Sequence, residues 1–359
     1  MRRLFLLLAP LLLFGCAPTL QVAESPGAGF QGPHLEKNVF VSFDGARLGL
    51  TRWDARGGAP WAVIIGVHGM DDWAHAFHLA APYWADRGVT TLAYDVRGFG
   101  RSPDRGLWAP DALNVEDLRT LVAVARRTWP KAKIAVVGES MGGAIAIEAF
   151  ASADPPDADR LVLAAPAVWG WSTQPITYQA ALWIVAHAAP SEVLTPPSWL
   201  TRKISASDNV PELIAMSHDP MMLWGARADA LYGLVDTMQA AYREIGRIKA
   251  PTLYLYGAHD EIIRKKPAIK AADRLPPGSR SAYYLQGWHL LLRDLQAHNV
   301  WADTLAFIRD PAAPLPSGAP PVPETVQAAR RLSTESARVV ASGGPAYSAA
   351  GSRLTRQSP

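Results

Sequence analysis

The chain has one cysteine, Cys16, among 359 residues, so no intramolecular disulfide can staple it. Stability must come from a buried core, and an apolar share of 49% against 19% charged residues suits a packed globular protein. Charge of one sign is also scarce. Lys and Arg number 35 against 32 Asp and Glu, a formal net charge of +3, and much of the surplus sits at the two ends. No basic stripe with interleaved aromatics occurs, which argues against nucleic-acid binding. There is no Gly-rich phosphate loop and no dinucleotide fingerprint. His75, His78, His187, His218, His259 and His298 show no metal-ligand spacing, so no metal site is expected. What is abundant is tryptophan, 13 residues of it, which fits a large core or an apolar acyl-chain pocket.

The longest early apolar run, Leu4 to Phe14, is too short to span a membrane and has the length of a signal h-region behind the basic Met1-Arg2-Arg3. Leu13-Phe14-Gly15-Cys16 resembles a bacterial lipobox, with Phe14 bulkier than the small residue usual there. Residues 1–16 are therefore expected to be a signal peptide whose cleavage leaves Cys16 as a lipidated N-terminus. That would tether an exported protein to a membrane of the bacterial cell envelope without a spanning helix. The alternative is an ordinary secretory signal cut nearby, giving a soluble periplasmic or secreted protein.

Residues 17–35, rich in Gly, Pro and Ala, read as a flexible tether. Asn38 to Phe43 and Arg47 to Trp53 alternate around Asp44-Gly45, a hairpin signal. From Trp61, short apolar runs alternate with helical periodicity as far as Gln296 to Ile308. This predicts an α/β fold with a mostly parallel sheet covered by helices on both faces, over residues 36–310. The alternation breaks at about 166–248, a Trp-rich helical stretch expected to form an inserted cap over the active site. Residues 311–359, rich in Pro, Ala and Ser, are expected to be a disordered tail.

Gly138-Glu139-Ser140-Met141-Gly142 has the form Gly-x-Ser-x-Gly, between the apolar run Lys133 to Val137 and the small-residue helical run Gly143 to Phe150. Strand, sharp turn and helix make this a nucleophile elbow, with Ser140 exposed at the top of the sheet. A serine hydroxyl needs a base to take its proton, and the base needs an orienting acid. In such a sheet these follow in the order Ser, acid, His. Asp260 lies just past the strand Thr252 to Tyr256, and His289 just past the strand Ala282 to Leu285. Asp294 is a rival acid by proximity, but its place near the closing helix suggests that it favours that helix's N-terminus. The backbone N–H groups of Met70, in Val67-His68-Gly69-Met70, and of Met141 are the expected oxyanion donors, with His68 structural.

These residues resemble the α/β-hydrolase fold, and within it the monoacylglycerol lipase, lysophospholipase and serine aminopeptidase-like branch. Four stretches carry the resemblance: His68-Gly69-Met70, Asp95 to Ser102, the Ser140 elbow with Gly143, and the Asp260/His289 pair. Glu139 departs from the branch, standing where relatives often have His. The resemblance implies a mobile cap, a hydrophobic acyl site and no cofactor. It points to a serine esterase or lipase acting on monoacyl lipids, with Trp183, Trp199 and Trp224 as candidates for the acyl pocket or its lid. Two readings stand beside it: a peptidase or amidase with the same triad, and a non-catalytic envelope lipoprotein that keeps the fold.

Overall fold

The computed structural model describes residues 17–195 and 204–341, so Cys16 and Trp199 lie outside the described residues. Eleven strands occur among the described residues. They are β1 (His34–Leu35), β2 (Val39–Val41), β3 (Arg47–Trp53), β4 (Ala62–Val67), β5 (Val89–Tyr94), β6 (Lys133–Glu139), β7 (Arg160–Ala164), β8 (Val193–Leu194), β9 (Ala226–Arg227), β10 (Thr252–Gly257) and β11 (Arg280–Tyr284). All but β8 and β9 join one sheet in the order β1-β2-β3-β5-β4-β6-β7-β10-β11. The first three pair antiparallel and β3 is antiparallel to β5, while β5 through β11 run parallel. The helices are α1 (Ala80–Ala85), α2 (Asp111–Thr128), α3 (Met141–Ala151), α4 (Ile176–Ala188), α5 (Val210–Ser217), α6 (Ala228–Glu244), α7 (Lys265–Asp273), α8 (Ala297–Arg309) and α9 (Val326–Ala341).

Parallel strands covered on both faces must be apolar throughout, and β4 and β5 are buried at every position. The two-residue period then sorts side chains between two cores. Val63, Ile65 and Val67 enter one with Leu121 of α2 and Ile145 of α3; Ala62 and Ile64 enter the other with Trp84 of α1 and Phe307 of α8. The ends of β6, β10 and β11 therefore open along one sheet edge. This is the crevice where α/β sheets bind ligands.

Three expectations about the boundaries need correction. The stretch up to residue 248 is not a separate cap layer throughout: Ala230, Met238 and Ala241 of α6 are buried in the main core, and that helix packs on α3 as well as on α4. Within the insertion, β8 and β9 also form a two-residue antiparallel ladder. The segment 17–35 is not a free tether. The Gln21 N–H donates to the Trp108 carbonyl at 2.9 Å and its side chain to the Leu107 carbonyl at 2.7 Å, while the Glu24 N–H donates to Asp44 at 2.9 Å. The expected tail is ordered as far as Ala341. As an edge strand β11 leaves backbone groups without a ladder partner. The Tyr283 N–H donates to the Pro320 carbonyl at 2.7 Å, and the Val322 N–H to Ser281 Oγ at 3.0 Å. Val322, Val326 and Leu332 then pack on the core. A Pro-rich segment suits this task because proline still supplies an acceptor. Residues 342–359 lie outside the described residues.

Candidate active site

Ser140 sits between the end of β6 and the first residue of α3 with φ 51 and ψ −115. A side chain at this left-handed φ is strained, and such strain collects at functional sites. The elbow closes only because a Cβ at Gly142 would collide with the Val67 carbonyl of the neighbouring strand. The turn lifts the serine hydroxyl out of the sheet edge, and the Ala144 N–H behind it begins the helix by donating to the Ser140 carbonyl at 3.1 Å.

The structure brings together the three side chains singled out in the sequence. The Ser140 hydroxyl stands 3.0 Å from His289 Nε2, and His289 Nδ1 stands 2.9 Å from Asp260 Oδ2. The other Asp260 oxygen accepts the N–H groups of Ile262 and Ile263, both at 2.8 Å, which fixes the carboxylate. With Nδ1–H donating to Asp260, Nε2 is left as the acceptor for the serine hydroxyl. Burial alone would push the His289 imidazole down. The Asp260 charge and hydrogen bond, with Glu139 and Asp294 beyond, leave it above its ordinary value.

Met141 directly follows Ser140 as the first residue of α3, and Met70 lines the cavity beside Ser140. Among the described residues neither the Met70 nor the Met141 N–H takes part in a backbone hydrogen bond outside regular elements, as donors kept for an oxyanion must not. His68 is fully buried and accepts the Val96 N–H at Nε2, 2.9 Å away, so it braces the loop and stays neutral under burial. Asp95 holds the loop that follows, accepting the Ala74 N–H at 2.9 Å and the Arg101 N–H at 2.8 Å.

Ser140 and His289 open into a cavity of about 510 Å³ whose apolar wall includes Trp169, Met216, Met222, Leu234, Met238 and Ile263. Of the three tryptophans singled out in the sequence, the two described ones, Trp183 and Trp224, are placed elsewhere. Trp183 is 48% exposed on α4, stacked on His187, and does not line this cavity. Trp224, 54% exposed, lines a neighbouring cavity of about 380 Å³ that shares Met70 and Asp71 with the first. Helical spacing marks which residues are apolar but not which way a short cap helix turns. Trp169 and the methionines carry no one-dimensional signal beyond composition. Asp294 also departs from its expected role. It accepts the Trp288 N–H and the Ser207 hydroxyl, both at 2.6 Å, and so braces the His289 loop rather than a helix end.

Asp71 is an unusual wall residue. Its φ is 64, its Oδ1 is buried with no partner among the described residues, and burial, helped by Asp72, pushes its carboxyl up to about 7. The folded state thus holds this proton after the unfolded chain has released it near pH 4. Its penalty on stability grows as pH rises to about 7 and is complete above that. Asparagine tolerates the same backbone region. Asp71→Asn is therefore expected to raise Tm by about 1.5 °C at pH 8, equivalent to about 1 kcal/mol, and to leave it unchanged at pH 4. Thermal unfolding followed at both pH values checks this, and equal shifts would show that the carboxyl is not the cause.

The sequence pattern of the serine aminopeptidase, S33 family matches residues 58–296. A monoacylglycerol lipase of Mycolicibacterium smegmatis is 30% identical over 257 residues, covering 67% of this chain and 84% of that protein. A monoglyceride lipase of Rattus norvegicus is 25% identical, covering 73% and 84%. Among solved structures, a soluble variant of the Saccharomyces cerevisiae monoglyceride lipase, in complex with a substrate analog, superposes with a TM-score of 0.64. It is 17% identical and covers 80% of this chain and 98% of that one. The Paleococcus ferrophilus monoacylglycerol lipase gives a TM-score of 0.58 at 19% identity, covering 73% and 98%. At these identities the structural likeness speaks for an α/β-hydrolase fold.

Proposed function

The chain belongs to the serine aminopeptidase, S33 family of α/β-hydrolases, and from that premise we propose that it is a serine ester hydrolase that cleaves monoacyl lipids through an acyl-enzyme on Ser140. The observation that carries the chemistry is the hydrogen-bonded line from Ser140 to His289 to Asp260 at the mouth of an apolar cavity. Ser140 Oγ attacks the ester carbonyl carbon while His289 Nε2 takes its proton. The Met70 and Met141 N–H groups receive the charge that develops on the carbonyl oxygen. As the tetrahedral adduct collapses, the C–O bond to the alcohol breaks and His289 returns the proton to the leaving oxygen. Water, deprotonated by the same imidazole, then releases the fatty acid. Asp260 holds the imidazole and stabilises its charged form.

The lipid preference is supported by the cavity wall and by the printed activities of the relatives. It is supported further by α4, which leaves Ile176, Tyr178 and Ile184 exposed beside Trp183 on the cap surface. A panel of a long-chain monoacylglycerol, a lysophospholipid of the same chain and an aminoacyl amide tests the assignment. Turnover of a monoacyl lipid is expected to exceed turnover of the amide by at least about tenfold in kcat/KM. The reverse order would favour the peptidase reading.

We also propose that Cys16 carries a lipid anchor at a membrane of the cell envelope. The support is the apolar run that ends in the only cysteine. No described helix is long and apolar enough to cross a membrane. Mass spectrometry of protein from a bacterial host is expected to find a diacyl or triacyl modification at Cys16; an unmodified N-terminus elsewhere would leave plain export.

A further inference from the structure

Next to Ser140 lies a charged cluster that the proposed reaction does not use. Arg293 is buried, four positions after His289. Its Nη2 donates to Asp72 Oδ2 at 2.6 Å and to Glu139 Oε2 at 2.9 Å. Each partner belongs to a different part of the site. Asp72 follows Met70, the candidate oxyanion donor, by two residues, and its own N–H turns back to the Gly69 carbonyl at 3.4 Å. Glu139 ends β6 and immediately precedes Ser140. All three residues line the cavity into which Ser140 opens, and each is at least nine-tenths buried.

Burying one guanidinium with two carboxylates is costly, because all three groups give up their hydration. Among the described residues the cluster is not even fully satisfied: Glu139 Oε1 and Arg293 Nε have no hydrogen-bond partner there. A core built for stability alone would be served better by apolar side chains of the same size. What the arrangement does provide is a tie between three loops, fixed by a planar donor group. The geometry points to Arg293 and Glu139 as positioning residues of the reaction: the guanidinium holds the Met70 loop against the Ser140 elbow, and the Glu139 carboxylate acts on His289 as a second anionic neighbour behind Asp260. This inference rests on the Ser140–His289–Asp260 reading and adds to it two residues outside the triad.

The charges around His289 set the sign of the effect. Asp260 faces it from the loop after β10, Glu139 from the end of β6, and Asp294 from its own loop. Asp71, Asp72 and Arg293 complete the polar wall, and His68 and Glu212 lie behind them. Glu139 favours the imidazolium, so its removal should let His289 lose its proton at lower pH. The acidic limb of the kcat/KM profile, which reports the free base, then moves down.

The test compares the full-length protein with Glu139→Gln, Arg293→Lys and Arg293→Met, using p-nitrophenyl butyrate. Active sites are counted by fluorophosphonate titration, so that folding losses do not enter kcat. Glu139→Gln is expected to shift the acidic limb down by about half a pH unit, a modest part of the shift that one nearby charge can cause. Arg293→Met is expected to lower kcat per active site by about 10- to 100-fold with KM changed less than about threefold, as loosened oxyanion donors would. Arg293→Lys should recover part of that loss, because it restores the charge without the two-way fork. A merely structural cluster would reduce Tm and the fraction of active sites, leaving the limb and kcat in place. A Glu139→Gln enzyme whose limb coincides with the parent's overturns the role given to Glu139, and a folded Arg293→Met enzyme of parental kcat per active site overturns the role given to Arg293. If Arg293→Met does not fold, the Glu139→Gln profile decides. A parent protein that neither labels nor turns over the ester counts against the triad reading instead.

Discussion

Ser140→Ala is expected to fold like the parent and to lose ester hydrolysis by about 10⁶-fold in kcat, the scale seen when a serine protease loses its triad serine. The structure explains why the loss should be a loss of chemistry. Ser140 already sits at φ 51, and alanine takes on the same backbone strain without adding to it. The elbow is closed by Gly142 against β4, by the Ser140 N–H on the Ala164 carbonyl at 3.0 Å, and by the helix start at Ala144. None of these contacts uses the hydroxyl. Among the described residues the hydroxyl has one hydrogen-bond partner, His289 Nε2, and without the hydroxyl the imidazole has no proton to take from the enzyme. The oxyanion donors and the cavity remain, so a residue of catalysis over water of about 10³-fold can persist. Circular dichroism establishes the fold, and turnover of the best ester and labelling by a fluorophosphonate probe establish the loss. Parental turnover in a folded Ser140→Ala protein would remove Ser140 from the mechanism. A parent that is folded yet never labelled would favour the non-catalytic envelope reading.

The parts of this site that could be read from sequence are those fixed by short range or by chain order. The elbow is local: an apolar β-branched run, glycines on both sides of a serine, and small residues after it leave little choice of backbone. Asp260 and His289 are distant in sequence, but a parallel sheet aligns strand ends, so each could be placed within a few residues of a strand's end. Arg293 shows the opposite case. Its two partners lie 221 and 154 residues away, and nothing in the pattern around Arg293 says that it turns inward rather than toward solvent. Composition misled at both flanks. Gly, Pro and Ala argued for a tether in 17–35 and few large apolar residues for disorder from 311, whereas the described parts of those segments are held by backbone hydrogen bonds to Trp108 and to the exposed edge of β11. The tryptophans misled for a related reason: Trp183 and Trp224 are apolar by type, but the cap turns both partly to solvent.

The identity of the acid gives the second large effect. Asp260→Asn should preserve the fold and lower kcat by about 10⁴-fold, as the equivalent change does in a serine protease where it imposes the wrong tautomer. The hydrogen bonds of Asp260 say how that would happen here. One oxygen accepts from the Ile262 and Ile263 N–H groups, so the carbonyl oxygen of an asparagine must stay on that side. Its NH2 group then faces His289 Nδ1, where the aspartate offered an acceptor. The imidazole must answer with a bare Nδ1 and carry its proton on Nε2, the atom that has to receive the proton of Ser140. Asp294→Asn poses a different problem. Asp294 spends one oxygen on the Trp288 N–H and the other on Ser207, and neither contact reaches the reacting atoms. Asparagine keeps one acceptor and loses the other, so the His289 loop is expected to loosen, with kcat reduced by no more than about tenfold and with stability lower by about 1 kcal/mol. Measuring kcat per titrated active site, beside thermal unfolding, separates the two. Should Asp294→Asn be the crippling change while Asp260→Asn turns over near the parental rate, the acid is Asp294, and the hydrogen bond between His289 and Asp260 serves only to hold the loop.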